Sequence, residues 1–245
     1  MASNRLTSFA FWDSIHSRIE RTRLPDGLRA SERNVRRLLR RYIKPGSRVM
    51  EIGFAPGRTL LWTATALGAS VSGVDFSPAG VAAARLIFDE HKIPCDMRCE
   101  DVDTHTFSKG TFDIVFSLGF VEHFQDVSSL IVRHAELARV GGTVIIVIPR
   151  YDGLYRRLQA ALDPSNLALH NLSIMSEDAL LRAASAVGVA AHAYRFGRVQ
   201  PGLISWRHLG SVTGRVLYHV VNAAGLLQPF DVSPLCPLLV LELRR

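Results

Sequence analysis

"VMEIGFAPGRTL", residues 49–60, is the stretch on which the fold turns. An apolar run ends at the acid Glu51. Gly53, Phe54, Ala55, Pro56 and Gly57 follow, and then an apolar helical pattern begins. This reads as a strand that turns sharply beside an acid and feeds a helix. Gly53 permits a tight turn, and Gly57 lets the next helix start close to a ligand. Ala55 is small enough to leave the loop open.

The same rhythm continues outward from this stretch. "SRVMEIG" predicts a strand and "GRTLLWTATALG" a helix. "SVSGVD" predicts a strand, and "SPAGVAAARLIFDEH" a helix opened by Ser77 and Pro78. "CDMRCED" and "FDIVFSLG" predict two further strands. "VSSLIVRHAELARV" predicts a helix stopped by Gly141 and Gly142, and "TVIIVIP" a buried strand. Alternation of this kind favours a mostly parallel sheet with helices on both faces. Beyond Pro149 the pattern loosens. Residues 150–173 and 197–233 read as insertions around a helix, "SEDALLRAASAVG", and a strand, "VAAHAYRFG". "SPLCPLLVLELRR" closes the sequence as a strand. Upstream, residues 11–23 and 31–43 read as helices, the second capped by Ser31 and ended by "KPG".

Bulk properties narrow the class. The 245 residues suit one α/β domain with decorations, and 48% hydrophobic residues supply a sizeable core. The net charge of +7 is uneven. Residues 1–50 carry twelve basic and four acidic side chains, residues 51–149 seven and twelve, and residues 150–245 ten and six. An acidic middle argues against one large nucleic-acid surface. No window of eighteen apolar residues suggests a membrane span, and "MASNRLTSFAFWDS" lacks a secretory apolar segment. Cys95, Cys99 and Cys236 have no metal or disulfide spacing. The expected location is cytoplasmic, with reduced cysteines and no metal.

In an open α/β sheet, ligands bind where strand order reverses, outside the strands' carboxyl ends. Asp75 ends the second strand, twenty-two residues after Gly53, where an acid can accept bonds from both ribose hydroxyls. Asp101, in "CEDV", ends the third strand, and "SLGFVEHF" follows the fourth. Together these motifs resemble the class I S-adenosylmethionine-dependent methyltransferases. "EIGFAPG" is similar to the family's acid-x-Gly-x-Gly-x-Gly motif, with Ala55 replacing the middle glycine.

The resemblance implies a three-layer, Rossmann-like, doubly wound sheet of about seven mostly parallel strands, the last antiparallel. It implies S-adenosyl-L-methionine as cofactor, released as S-adenosyl-L-homocysteine. The residues it points to are Glu51, Gly53, Gly57, Asp75, Phe76, Asp101, Val102, Ser117 and Leu118. Residues 1–44 form a helical extension or lid, and residues 45–245 the methyltransferase domain. A dinucleotide site fits less well, because Pro56 removes an amide that could face phosphate. A P-loop is excluded by the absent Gly-Lys-Ser/Thr.

Methyl transfer asks the protein mainly for alignment and exclusion of water. A hydroxyl acceptor also gains from a general base, and neutral histidine suits that task. His123, after the fourth strand, and His170, in the first insertion, are the candidates; each also has a purely structural reading. Glu122 lies beside His123, and Arg150 and Tyr151 stand at the end of the fifth strand. Phe9, Phe11 and Trp12 read either as a lid or as helix anchors. Arg33, Arg36, Arg37, Arg40 and Arg41 share a helix face that reads first as solvated. "VLYHVVNAAGLL" reads first as core, with a substrate cap, dimer face or membrane-surface helix as alternatives.

The sequence thus points to methyl transfer onto a small molecule, by preference a hydroxyl oxygen of a natural product, sugar or lipid-like metabolite. Two alternatives stay open: an RNA-modifying enzyme using the basic helix, and a non-catalytic cofactor-binding subunit. Nucleic acid is not the expected partner, peripheral membrane contact stays open, and the chain is expected as a monomer or homodimer.

Overall fold

The computed structural model describes residues 4–18 and 24–245, and all their side chains except those of Arg207 and His208. Helices α1 (Phe9–His16) and α2 (Ala30–Leu39) precede strand β1 (Arg48–Ile52). Then follow α3 (Arg58–Leu67), β2 (Ser70–Asp75), α4 (Pro78–Glu90), β3 (Cys95–Cys99) and β4 (Phe112–Leu118). Next come α5 (Val127–Leu137) and the long β5 (Ala138–Pro149). The remainder is α6 (Gly153–Leu162), α7 (Pro164–Leu167), α8 (Glu177–Ala184), β6 (Ala190–Phe196), α9 (Ser211–Leu227) and β7 (Leu238–Arg244).

The strands make one sheet in the order β3-β2-β1-β4-β5-β7-β6. All run parallel except β7, which is antiparallel to both β5 and β6. The chain winds from β1 out to β3, then crosses back to place β4 on the other side of β1. That reversal makes the carboxyl ends of β1 and β4 the topological switch point. Both faces of the sheet are covered. In β5, Val144, Ile146 and Ile148 belong to one core and Ile145 and Val147 to the other, all buried. Continuous apolar runs, rather than alternation, are what such a doubly covered strand requires.

Several boundaries differ from those expected. α1 begins at Phe9, with Ser8 accepting the Phe11 amide; residues 19–23 of the helix expected over 11–23 lie outside the described residues. Ser31 does not cap α2. The helix starts at Ala30, whose amide donates to Asn222 Oδ1 on α9 at 2.8 Å. α5 stops at Leu137, three residues before the expected end. Arg139 pairs with Asp113 at the start of β4 at 2.5 Å, and Ala138 already pairs with Phe112. The two insertions contain regular structure, α6 and α7 in the first and α9 in the second.

Candidate active site

The site forms where the loops after β1, β2 and β4 converge. Gly53 adopts φ 72°, and a Cβ there would lie 2.6 Å from the Phe120 ring. Gly57 adopts φ 85° as the first cap of α3; its missing Cβ admits Ala84 of α4, which would otherwise be met at 2.8 Å. Gly57 therefore serves helix packing rather than facing a cavity. Asp75 ties two loops together: Oδ2 accepts from the Ala55 amide at 3.1 Å and Oδ1 from the Ser77 amide at 2.9 Å. Burial raises its pKa, and these amide bonds work against that rise. A carboxylate has about four acceptor positions, so two remain for a ligand.

Glu51 is 3% exposed, and its Oε2 has no hydrogen-bond partner. Burial, and then the nearby Asp75 charge, hold its pKa well above the ordinary value. It borders a recess of about 750 Å³ of free space with Arg36, Arg58 and Trp62. The buried Ser117 Oγ likewise lacks a partner. Orphaned buried acceptors of this kind call for a donor. The ammonium group of an amino-acid moiety would satisfy Glu51.

The N-terminal arm crosses these loops. Leu6 N–H donates to the His123 carbonyl and Gln125 N–H to the Asn4 carbonyl. Asp13 Oδ1 accepts from Ser77 Oγ and the Ala79 amide, fastening α1 to the start of α4. Arg5 lies between the Phe76 and Phe124 rings, 4.7 and 4.6 Å from their centroids, and donates to Asp101 Oδ2 at 2.6 Å. Beneath the arm is a cavity of about 520 Å³ of free space, lined by Trp12, His16, Gly53, Asp75, Phe76 and Leu118 among others. His16 Nδ1 is buried there without a partner, and burial lowers its pKa against the pull of Asp75 and Asp13. Val102 is buried in the core beneath, so only its backbone is placed to meet a ligand.

A second recess, of about 1000 Å³ of free space, adjoins the first. Trp12, Leu118, Gly119 and His123 border both. Its own walls include Glu122, Tyr151, Leu169, His170 and Leu203. The rings of His123 and His170 lie 4.8 Å apart, with Trp12 5.0 Å from His123 and Tyr151 4.9 Å from His170. His123 Nδ1 meets the Leu169 carbonyl at 2.8 Å, and His170 Nδ1 meets the Asn166 carbonyl at 2.9 Å. A carbonyl only accepts, so each Nδ1 carries the proton and each Nε2 keeps its lone pair. Burial pulls the His123 pKa down to about 4 and lowers that of His170. Glu122 is buried with Oε2 unpartnered, and burial pushes its pKa up to about 8. Glu122, His123 and His170 bring one donor atom each within 4.8 Å of one another, a set that could also hold a cation.

The sequence candidates Glu51, Gly53, Asp75, Phe76, Asp101 and Leu118 thus gather around one cleft, and His123 and His170 meet beside it. Arg150 does not join them. It is buried, and its guanidinium donates to the Ser233 and Pro234 carbonyls. Tyr151 does line the second recess, with its hydroxyl on the Leu203 carbonyl at 3.0 Å. Arg5, His16, Phe120 and Phe124 are the site residues that sequence reading missed. Only Phe120 and Phe124, flanking the "VEH" of the fourth-strand motif, carried any signal.

This strand order, with its cleft at the switch point, is the fold of the class I S-adenosylmethionine-dependent methyltransferases. Residues 50–146 match the family described as "Methyltransferase domain". A ubiquinone biosynthesis O-methyltransferase of Bradyrhizobium diazoefficiens is 36% identical over 118 residues, 48% of this chain and 45% of that protein. One from Rhodopseudomonas palustris is 35% identical over 101 residues, 41% of this chain and 39% of that protein. The chain thus spans less than half the length of the curated relatives it matches. Among solved structures, the [4+2]-cyclase SpnF superimposes with a TM-score of 0.67 at 14% identity, covering 98% of this chain and 97% of that one. A likeness at this identity concerns the fold alone.

Proposed function

We propose that this chain transfers a methyl group from S-adenosyl-L-methionine to a hydroxyl oxygen of a small, planar organic acceptor. The observation that carries the reading is the pair of adjoining cavities meeting at Trp12, Leu118, Gly119 and His123. The first suits the cofactor: Asp75 offers acceptors for ribose hydroxyls, Asp101, held by Arg5 at its edge, for the adenine amino group, and Glu51, in the neighbouring recess that shares Gly53, Ala55 and Leu118, for the ammonium. The second suits the acceptor, because Trp12 and Tyr151 supply flat walls and the two histidines supply polar ends. The curated relatives are named O-methyltransferases, which favours oxygen over nitrogen or carbon.

The cofactor, when bound, supplies a methyl group made electrophilic by its sulfonium centre. The chain's own residues align the acceptor, exclude water and receive a proton. Trp12 and the arm close one side, and Tyr151 and Leu203 the other. As the acceptor oxygen gains its bond to carbon, its proton passes to Nε2 of His123, with His170 as the second basic nitrogen. The Leu169 carbonyl holds His123 in the required tautomer.

The arginine face of α2 does not favour the RNA reading. Arg36 and Arg40 stack on Trp62, while Arg37 and Arg41 stack on Phe196. Arg37 also pairs with Asp231. The test of the proposal is a matched pair of acceptors, one aromatic ring bearing a hydroxyl and the same ring bearing an amine. Mass spectrometry should show methyl gain on the hydroxyl compound. Gain on the amine alone would overturn the oxygen assignment.

A further inference from the structure

Helix α9 presents its apolar residues outward. Its inner face is fixed: a Cβ at Gly225 would meet the Val199 carbonyl at 1.8 Å, and one at Gly214 the Trp206 carbonyl at 2.3 Å. Asn222 lies on the same side, donating to the Leu28 carbonyl and accepting from the Ala30 amide. On the opposite side, Val212, Val216, Val220, Ala223 and Leu227 follow one another at helical spacing. Val212 is 66% exposed, Val216 55%, Val220 57% and Leu227 82%. Leu28, next to Asn222, and Phe230, just past the helix, are 67% and 66% exposed. An exposed apolar strip of this kind marks an interaction surface.

The charge around the strip is mostly positive. Residues 197–230 contain no Asp or Glu, and α9 itself carries Arg215 and His219 as its only basic side chains. The adjoining α2 exposes Arg33, preceded by exposed Arg29 and followed by exposed Arg40 and Arg41. Arg198, by the far end of α9, donates to the Pro229 carbonyl. The acids nearby are Asp26; Glu32, engaged by Arg58 at 2.7 Å and more loosely by Arg29 at 4.0 Å; and Asp231, engaged by Arg37. A second copy of this chain would set these arginines against their equivalents across a two-fold axis, with no acid in residues 197–230 to pair with them. An anionic bilayer offers what the surface lacks, an apolar interior beneath a negative headgroup layer.

We propose that α9, flanked by the arginines of α2, docks this domain onto the surface of an anionic phospholipid membrane. The helix lies in the interface with Val212, Val216, Val220 and Leu227 below the headgroups. It does not span: no helix among the described residues is long and apolar enough to cross a membrane. The segment under α9 also supplies Gln200, Gly202 and Leu203 to the second recess, so the docked face backs onto that recess. The docking proposal does not depend on the chemistry proposed for it.

The test is co-sedimentation of the full chain with vesicles of phosphatidylcholine alone and of phosphatidylcholine containing about a third phosphatidylglycerol. Binding should be at least about tenfold stronger to the anionic vesicles and should weaken as salt is raised. Replacing Val212, Val216, Val220 and Leu227 together by serine should abolish it. Replacing Arg29, Arg33 and Arg40 by glutamine should remove the preference for the anionic lipid. S-adenosylmethionine affinity within about twofold of the unmodified chain would show that both variants are folded. Absent binding, or equal binding to both vesicle types, would overturn the proposal. So would a concentration-dependent dimer that the serine variant abolishes, since a second copy would then cover the strip.

Discussion

Arg5 holds Asp101 at 2.6 Å while its guanidinium plane lies between the rings of Phe76 and Phe124. A flat, hydrogen-bonding cation thus fills the space that a flat, hydrogen-bonding adenine would need. Asp101 is the acid proposed for the adenine amino group, and on that proposal Arg5 and the cofactor compete for one carboxylate. Replacing Arg5 with alanine should therefore tighten S-adenosylmethionine binding. A partly exposed ion pair and two ring contacts are together worth about 1–2 kcal/mol, or roughly five- to thirtyfold in affinity. Calorimetric titration reads the change directly. Weaker binding by the variant would mean that Arg5 closes over the cofactor instead of standing in its place.

Asp75 braces the Ala55 and Ser77 amides, and on the proposed reading it also offers its free positions to the ribose. Asp75→Ala should weaken S-adenosylmethionine binding at least about tenfold. It should lower the melting temperature as well, because two amides lose their acceptor. Asp75→Asn separates the two duties, since its carbonyl oxygen can keep one amide bond while the charge is gone. Affinity unchanged in both variants would remove Asp75 from the ribose site.

Much of this cleft was legible in the sequence, and the reason is local. Gly53, Asp75 and Asp101 sit at strand ends whose spacing follows from the strand and helix lengths between them. The sheet order places those ends side by side. The arm is different. Arg5 reaches Asp101 across 96 positions, by a path that no period or motif encodes. His123 and His170 were readable as candidates but not as a pair, because their meeting depends on the segment after α7 returning to the turn after β4, where the Asn171 amide donates to the Glu122 carbonyl. The start of α2 was misjudged for a similar reason: Asn222, far along the chain, takes the amide that a local cap would have taken.

Burial of Glu122 sets a pH dependence of stability. Its pKa rises from an ordinary 4.5 to about 8 in the fold. The folded state therefore holds a proton that the unfolded state releases, and stability falls as pH rises from about 4.5 through 8. Glu122→Gln should remove that loss and be the more stable protein at pH 9, by on the order of 1 kcal/mol or more. Denaturant unfolding at pH 6 and pH 9 measures it. Parallel losses in both proteins would show that the pH dependence arises at another group and that Glu122 does not hold a proton in the fold.

His123 runs the other way. Its pKa falls from 6.5 to about 4, and buried His134 is depressed to a similar value. Both favour the folded state above pH 6.5, and that contribution is lost as pH drops toward 4. For catalysis, His123→Ala should lower single-turnover methyl transfer by about a hundredfold. Cofactor affinity should stay nearly unchanged. His170→Ala should shift the pH profile with a smaller loss in rate. A chelator should leave the rate as it was. A rate abolished by chelation and restored by a divalent cation would give Glu122, His123 and His170 to a metal instead.

The central claim is methyl transfer to a small molecule within the second recess, and one measurement meets it directly. The purified chain is incubated with methyl-labelled S-adenosylmethionine and a cell extract. The products are then separated into small molecules, RNA and protein. The label is expected in the small-molecule fraction, on an oxygen, and should be lost with His123→Ala. Label in RNA or protein, or bound cofactor with no label transferred to any fraction, would contradict the account.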